Sequence, residues 1–168
     1  NAIDKHQIDD YTPLDSTGTL GYKSNFFKIG EDAYYENFNF EFSKKISKMF
    51  KLVVDYFYIM YNSTVIEGHE MANIHSHTGV VDMTFNINDK HSIRTELQHM
   101  YTKQEDGSWA YALVEYTIAP KWFFSVSDMY NYGNSIVDKR LNYYGVSAAF
   151  AIGSTRISLN YGRQRAGI

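Results

Sequence analysis

The stretch FNFEFS, residues 38–43, decides the fold because phenylalanine occupies every second position in it. Side chains of an extended strand point alternately to opposite faces, so the three phenylalanines share one face and Asn39, Glu41 and Ser43 share the other. This alternation is typical of a strand with one apolar and one polar side, and it does not fit the helical period. The stretch therefore predicts a β-strand.

The same alternation recurs along most of the chain. In KLVVDYFYIMYN, residues 51–62, Leu52 and Val54 share one face, while Lys51 and Asp55 share the other. The segment 121–132 fits least well because Asp128 falls on the apolar side, and a β-bulge there would restore the pattern. We expect eight strands, with room for a ninth inside 19–30; the eight lie within 38–43, 51–62, 74–88, 92–103, 108–118, 121–132, 141–152 and 155–164.

The connections between these strands alternate in length. Those at SKKISK, NDK, APK and GST are short, whereas those around 62–74, 103–108 and 132–140 are longer. In an antiparallel sheet this places all the short turns at the same end of the strands. Outer-membrane β-barrels show this asymmetry, with tight periplasmic turns and longer extracellular loops. We therefore predict an antiparallel transmembrane β-barrel of the outer-membrane type.

Composition excludes several other classes of protein. The chain of 168 residues has a formal charge of -3 and no basic footprint for nucleic acid, so we expect no nucleic-acid partner. It has no cysteine, which removes disulfides and thiolate metal sites and leaves the redox compartment undecided. No run approaches the roughly 18 apolar residues of a membrane helix, and NAIDKHQIDDYT at the start is not a secretory signal. We expect no cofactor.

A membrane barrel sets a direction for each face of its strands. Apolar side chains must meet lipid, while the enclosed lumen tolerates polar groups. Several Asp and Glu residues of the polar face lie at similar distances along their strands from the short turns. Arg94 and Arg156 lie nearer the turns, where they would neutralise these acids. Two interpretations stay open: a salt-bridge network that fills the lumen, or a water-filled passage favouring cations. The predicted lumen-lining residues are Glu41, Asp55, Asp82, Arg94, Glu96, Glu115 and Arg156.

The segment EGHEMANIHSH, residues 67–77, contains three of the chain's six histidines. Its spacing does not match the helical zinc-protease motif, since no histidine lies four residues after His69. His75 and His77 point the same way on a strand and, with His69, are weak candidates for a metal site. We expect instead that they lie at a wet membrane interface. Lipid hydrolysis through Ser76 is disfavoured because alternation turns Ser76 away from both histidines.

The tail ISLNYGRQRAGI, residues 157–168, together with the tyrosine-rich strands before it, resembles a family of uncharacterised outer-membrane β-barrel proteins of Bacteroidetes, a domain of unknown function. In those proteins the YGRQR segment closes a late strand, and the chain continues through a cysteine-containing loop to a final strand. The resemblance is specific over these last residues and implies further strands beyond both ends of the chain. It implies no activity and no catalytic residues.

Together these observations predict a leading loop over 1–18 and one barrel domain over 19–168, which is an incomplete part of a larger wall. We expect a non-enzymatic protein of the Gram-negative outer membrane, in contact with lipid, that works as a passive, porin-like channel or transport component. The first alternative is a non-conducting scaffold subunit that binds other outer-membrane proteins through loops 62–74 and 132–140. The second is a soluble β-sandwich binding module, which would have to bury its apolar face against another layer.

Overall fold

A computed structural model describes residues 2–5, 22–25, 33–63 and 73–165 of the chain. The chain forms two compact units, residues 1–39 with 57–77 and residues 40–56 with 78–168. The described elements are β-strands and one short 3₁₀ turn, Val137–Lys139. The strands are β1 (Ala2–Lys5), β2 (Tyr22–Asn25), β3 (Ala33–Lys45), β4 (Phe50–Asn62), β5 (Asn73–Asn86), β6 (His91–Tyr101), β7 (Trp109–Ile118), β8 (Trp122–Asn131), β9 (Asn142–Ile152) and β10 (Thr155–Gly162).

The strands join in the hydrogen-bonded order β10-β9-β8-β7-β6-β5-β4-β3-β1-β2, and the eight strands β3 to β10 follow one another as neighbours. The predicted all-β, antiparallel architecture is therefore confirmed. Within the described residues β10 and β2 do not pair with each other, so the sheet is open rather than closed on itself. No described helix has the length and apolar character needed to span a membrane.

Two short strands precede the eight. The ninth strand expected inside 19–30 is present as β2. The strand β1 corrects the expectation of loop over 1–18, because Ala2–Lys5 finds hydrogen-bonding partners in both β2 and β3. Pairing with neighbours, rather than a strong hydrophobic period of its own, accounts for this strand. The rest of 1–18 lies outside the described residues.

The ladders from β6 to β10 are continuous, which overturns one prediction. Trp122 to Asn131 of β8 pair residue by residue with β7, and Trp122 to Tyr130 pair in the same way with β9. No bulge interrupts either ladder, so Asp128 stays on the same face as Trp122 and Val126. The prediction of a bulge was wrong. It assumed that a carboxylate cannot lie among apolar side chains, but a donor on the next strand reaches it: Asn142 donates Nδ2–H to Asp128 Oδ2 at 2.6 Å.

The alternation of connection lengths is as predicted. Short turns join the pairs β3–β4, β5–β6, β7–β8 and β9–β10, and longer segments, 63–72, 102–108 and 132–141, join the others. Side chains brace two of the short turns, since Ser47 Oγ accepts from the backbone N–H of Met49 and Phe50, and Asn88 Oδ1 accepts from those of Lys90 and His91. Such local bonds fix a tight reversal of the chain.

The two faces of β6–β10 differ sharply in chemistry. One face carries rows of apolar side chains, such as Val114, Val126 and Val146, which lie opposite one another on three adjacent strands. The other face carries Glu115, Ser125 and Ser147 in the equivalent row. The apolar side chains are exposed, Val126 by 52% and Leu159 by 74%. Apolar residues buried among the described part of the chain are few: Met60, Ile74, Trp109 and Ala149.

Candidate functional site

Arg94, in the middle of β6, binds three carboxylates on the polar face of the sheet. Its Nε donates to Asp82 Oδ2 at 2.6 Å, its Nη1 donates to Glu115 Oε2 at 2.6 Å, and its Nη2 donates to Glu96 Oε2. Gln98 in turn donates an N–H to the second oxygen of Glu96. The planar, multidentate guanidinium suits this arrangement, because its five donors reach several carboxylates at once.

Register explains why these residues meet. Arg94 lies directly opposite Glu115 in the β6–β7 ladder, and Glu96, two residues further along β6, points to the same face. Asp82 reaches Arg94 from β5. The neutralisation predicted for Arg94 is therefore present, and three of the predicted acids come together around it. One positive charge faces three negative charges, so the cluster keeps an acidic balance.

Arg156 of β10 lies on the same polar face. Together with Arg94 and Glu115 it lines a cavity of about 390 Å³. Its guanidinium does not pair with a carboxylate within the described residues; it stacks over the Phe123 ring, 5.1 Å from the centroid. The arginine predicted to neutralise acids instead uses a cation–π contact.

The remaining predicted lining acids lie on earlier strands. The structure places Glu41 on β3, where it is exposed, and Asp55 on β4, where it is half-buried. Neither is among the three carboxylates that Arg94 binds. Of the five acids predicted to line the lumen, Asp82, Glu96 and Glu115 thus form a tight cluster around Arg94, and Glu41 and Asp55 lie outside it.

The histidines of β5 meet a tyrosine of β4. The Tyr58 hydroxyl hydrogen-bonds His75 Nδ1 at 3.0 Å, and the His77 ring lies 5.1 Å from the Tyr58 ring. His75 and His77 share one exposed face, as their spacing predicts. Across the described residues no group of three or more His, Cys, Asp or Glu has a geometry that would hold a metal ion. His69, the third weak candidate, lies outside the described residues.

Two further histidine–tyrosine pairs were not anticipated. His91 at the start of β6 hydrogen-bonds the Tyr116 hydroxyl through Nδ1 at 2.7 Å, and His99 near its other end hydrogen-bonds the Tyr132 hydroxyl through Nε2. The rings stack in both pairs, with centroids 5.9 and 5.8 Å apart. The signal in the sequence was a histidine at each end of β6; the tyrosine partners, Tyr116 on β7 and Tyr132 directly after β8, could be identified only from the assembled sheet.

Two of the longer connections, 102–108 and 132–141, form a buried polar cluster at the other end of the strands. Asn131 is 2% exposed, and its side-chain oxygen accepts from the backbone N–H of Asn134, itself 4% exposed. The two connections touch at Gly133, whose N–H donates to the Ser108 carbonyl at 3.0 Å. A Cβ on Gly133 would lie 2.1 Å from the Ser108 nitrogen, so only glycine permits this approach. These loops are therefore packed together.

The YGRQR segment ends β10 beside these loops. The N–H of Arg163 donates to the Tyr144 carbonyl, and a Cβ on Gly162 would lie 2.4 Å from that oxygen. Beyond this point Arg163 stacks over Tyr143, and Arg165 stacks over Trp109 and pairs with Asp106. The sequence pattern marks this segment by its family resemblance alone and predicts no role for its arginines.

Comparison with known protein families gives a match over residues 3–168 to a family described as "Family of unknown function (DUF6029)". The chain belongs to this family. The match covers nearly the whole DUF6029 chain, whereas the resemblance described above was specific over residues 157–168, and it shows membership of a family of unknown function. Neither a curated protein nor a solved structure matches it. The function of the DUF6029 family is unknown.

Proposed function

We propose that this chain builds part of the wall of a transmembrane β-barrel in a Gram-negative outer membrane, and that its polar face lines a passage for solutes. The observation that carries the proposal is the segregation of the two faces over β6–β10. Exposed apolar side chains cover one face, and the ion-paired and hydroxyl-bearing side chains occupy the other. Soluble monomers rarely expose apolar patches of this extent, whereas a lipid-facing surface must be apolar.

Strand length and aromatic placement support the proposal. The strands β6 to β9 have 11, 10, 10 and 11 residues. About 9–11 residues suffice for a tilted strand to cross the hydrocarbon layer. Aromatic side chains stand near the ends of the apolar face: Trp122 begins β8, and Tyr101, Tyr130 and Tyr161 lie near the opposite ends of their strands. Such rings favour the two membrane interfaces.

The Arg94 cluster sets the expected selectivity. Its surplus of negative charge on β5–β7 attracts cations into an aqueous passage. The neutral row of Ser125, Ser147 and Asn160 continues the polar face toward β10. A passive channel or transport component uses such a wall without performing a chemical step, and the proposal assigns no catalytic residue.

Planar-bilayer recording of the full-length protein tests this function. We expect discrete conductance steps with cation preference. Replacing Asp82 and Glu96 by Asn and Gln should move the reversal potential toward zero, because two of the charges that attract cations are removed. Asp138→Asn is the matched control, since Asp138 lies in the exposed 3₁₀ turn and away from the cluster. Absence of conductance from correctly inserted protein would refute the channel.

The scaffold alternative is favoured by a different observation. The connection 132–141 is held rigidly by Asn134, whose Oδ1 accepts from the N–H of Ile136 and whose carbonyl accepts from Arg140 Nε. On this frame Ile136 and Val137 are 51% and 68% exposed. An apolar pair fixed on an ordered loop suits partner binding. The scaffold would be favoured if the protein shows no conductance but co-purifies with another outer-membrane protein. The double variant Ile136→Ser and Val137→Ser should then abolish this co-purification.

A further inference from the structure

The groove beside the end of β10 combines two arginines with aromatic and hydroxyl side chains. Its volume is about 640 Å³, within the usual range of small-molecule sites. It lies on the polar face of β7–β10, as the register of Tyr111, Ser127 and Gly145 shows. Arg163 and Arg165 line the groove, with Tyr111, Tyr143, Ser127 and Gln164 around them.

Both guanidinium groups are held in place by rings. Arg163 lies over Tyr143, 5.7 Å from the centroid, and Arg165 lies over Trp109 at 5.4 Å. The two rings contact each other at 5.9 Å, so Arg163, Tyr143, Trp109 and Arg165 form one connected set. A cation–π contact holds a guanidinium near a ring without using its N–H donors on a carboxylate, so they remain available to an oxyanion.

The charges of the two arginines are only partly satisfied. Arg165 pairs with Asp106, whereas Arg163 has no carboxylate within 4.0 Å in the described part of the chain. The acids Asp82, Glu96 and Glu115 are engaged by Arg94 on β5–β7. The two arginines therefore give the β10 side of the groove a surplus of positive charge, whereas the acids engaged by Arg94 lie beyond its β7 side.

Two glycines form part of the groove beside Ser127. Gly145 and Gly162 lie opposite each other on β9 and β10, next to Ser127 of β8. Backbone proximity requires glycine at Gly162, as described above. Glycine at Gly145 leaves room beside the Ser127 side chain, because a Cβ there would lie 3.0 Å from Ser127 Oγ, and Ser127 hydrogen-bonds Tyr111 on the neighbouring strand. Arg163 and Arg165 line the groove beside this pair.

We propose that this groove binds a small soluble oxyanion, a phosphate- or carboxylate-bearing solute, with Arg163 as the principal ligand and Arg165 as the second. Guanidinium groups bind both oxyanions through paired N–H donors. A soluble anion is favoured over a lipid headgroup because the groove opens on the face opposite the exposed apolar side chains. The inference uses the same polar face as the proposed passage but requires no conduction.

Calorimetric titration of the full chain in non-ionic detergent tests the site, with inorganic phosphate as the probe. We expect saturable binding that Arg163→Gln weakens about tenfold or more, as the loss of a charged hydrogen bond implies. Arg163→Lys keeps the charge without the planar fork and should weaken binding less than Arg163→Gln does. Arg156→Gln is the matched control, because Arg156 lies on the same face near the start of β10, over Phe123, and does not line the groove.

The outcomes separate cleanly. Equal losses in Arg156→Gln and Arg163→Gln would mean diffuse attraction and would overturn the site, as would the absence of phosphate binding by folded protein. A short-chain, water-soluble phosphatidic acid serves as the second probe, and binding of this lipid without binding of phosphate would overturn the assignment to a soluble anion. Since binding is measured in detergent, failure of the channel leaves this result unaffected.

Discussion

Arg94 on β6 lies directly opposite Glu115 on β7, and its Nη1 donates a hydrogen bond of 2.6 Å to Glu115 Oε2. Replacing Arg94 by Gln leaves three carboxylates close together without a counter-charge. Because Arg94 is 39% exposed, we discount the cost of an unpaired buried charge and expect a loss of about 1–2 kcal/mol in unfolding free energy. Denaturant titration in detergent measures this loss. An unchanged midpoint would show that the cluster contributes nothing to stability.

The direction of the two faces can be tested with one charge placed on either side. Val126→Arg puts a cation among exposed apolar side chains. If that face meets hydrocarbon, membrane insertion should become less favourable by about 2–4 kcal/mol. Ser127→Arg places the same cation on the polar face and should insert normally. Folding into phospholipid vesicles measures both. A soluble β-sandwich with its core on the apolar face would fold in plain buffer, which wild-type protein should not do.

Asp128 predicts a stabilising substitution. Its Oδ2 accepts from Asn142, whereas its Oδ1 is buried and has no hydrogen-bond partner among the described residues. Since the side chain lies on the apolar face, Asp128→Asn removes a charge from that surface and should raise stability by about 1 kcal/mol. The shift of the thermal unfolding midpoint in detergent provides the measurement. Destabilisation would instead indicate that a bound cation or partner satisfies the carboxylate.

The packing of the longer loops depends on Gly133. An added Cβ would meet the backbone of Ser108 at 2.1 Å, so Gly133→Ala should separate connections 102–108 and 132–141 at a cost of about 1–3 kcal/mol. We expect faster proteolysis within both connections while the strands remain protected. Gly79→Ala is the control, because nothing lies within 4 Å of a Cβ at that position. Equal protease resistance of the two variants would contradict a packed loop cluster.

The strands could be predicted from sequence because alternation is a local property. Phe38 to Ser43 identify their strand without reference to any neighbour, and the alternation of short and long connections gives antiparallel order. The expected bulge at Asp128 was wrong, because a carboxylate on an apolar face can accept a hydrogen bond from a partner that only the register reveals, here Asn142. Closure of the sheet into a barrel remains a prediction. The sequence predicted that Arg94 would neutralise acids on its face, but it did not predict which acids.

The groove at Arg163 illustrates what sequence reasoning could not reach. Asp106 and Arg165 are separated by 59 positions, and no period or motif links them. Their contact depends on Gly162 allowing β10 to approach the Tyr144 carbonyl and on the loops folding against the end of β7. Long-range packing of this kind follows from the assembled ladders. The arginines therefore acquire a role only once the strands are in register.

The unbroken pairing from β6 to β10 limits how this chain can change in length. Inserting or deleting one residue within β8 would turn every later side chain of that strand over, exchanging Val126 and its apolar neighbours with the serines. The exposed turn Val137–Lys139 has no buried residue and lies outside the ladders. Gains and losses of single residues should therefore be tolerated in this turn and rejected inside the strands and at the packed positions Gly133 and Asn134, which makes the turn the place where tags or fluorescent reporters can be inserted.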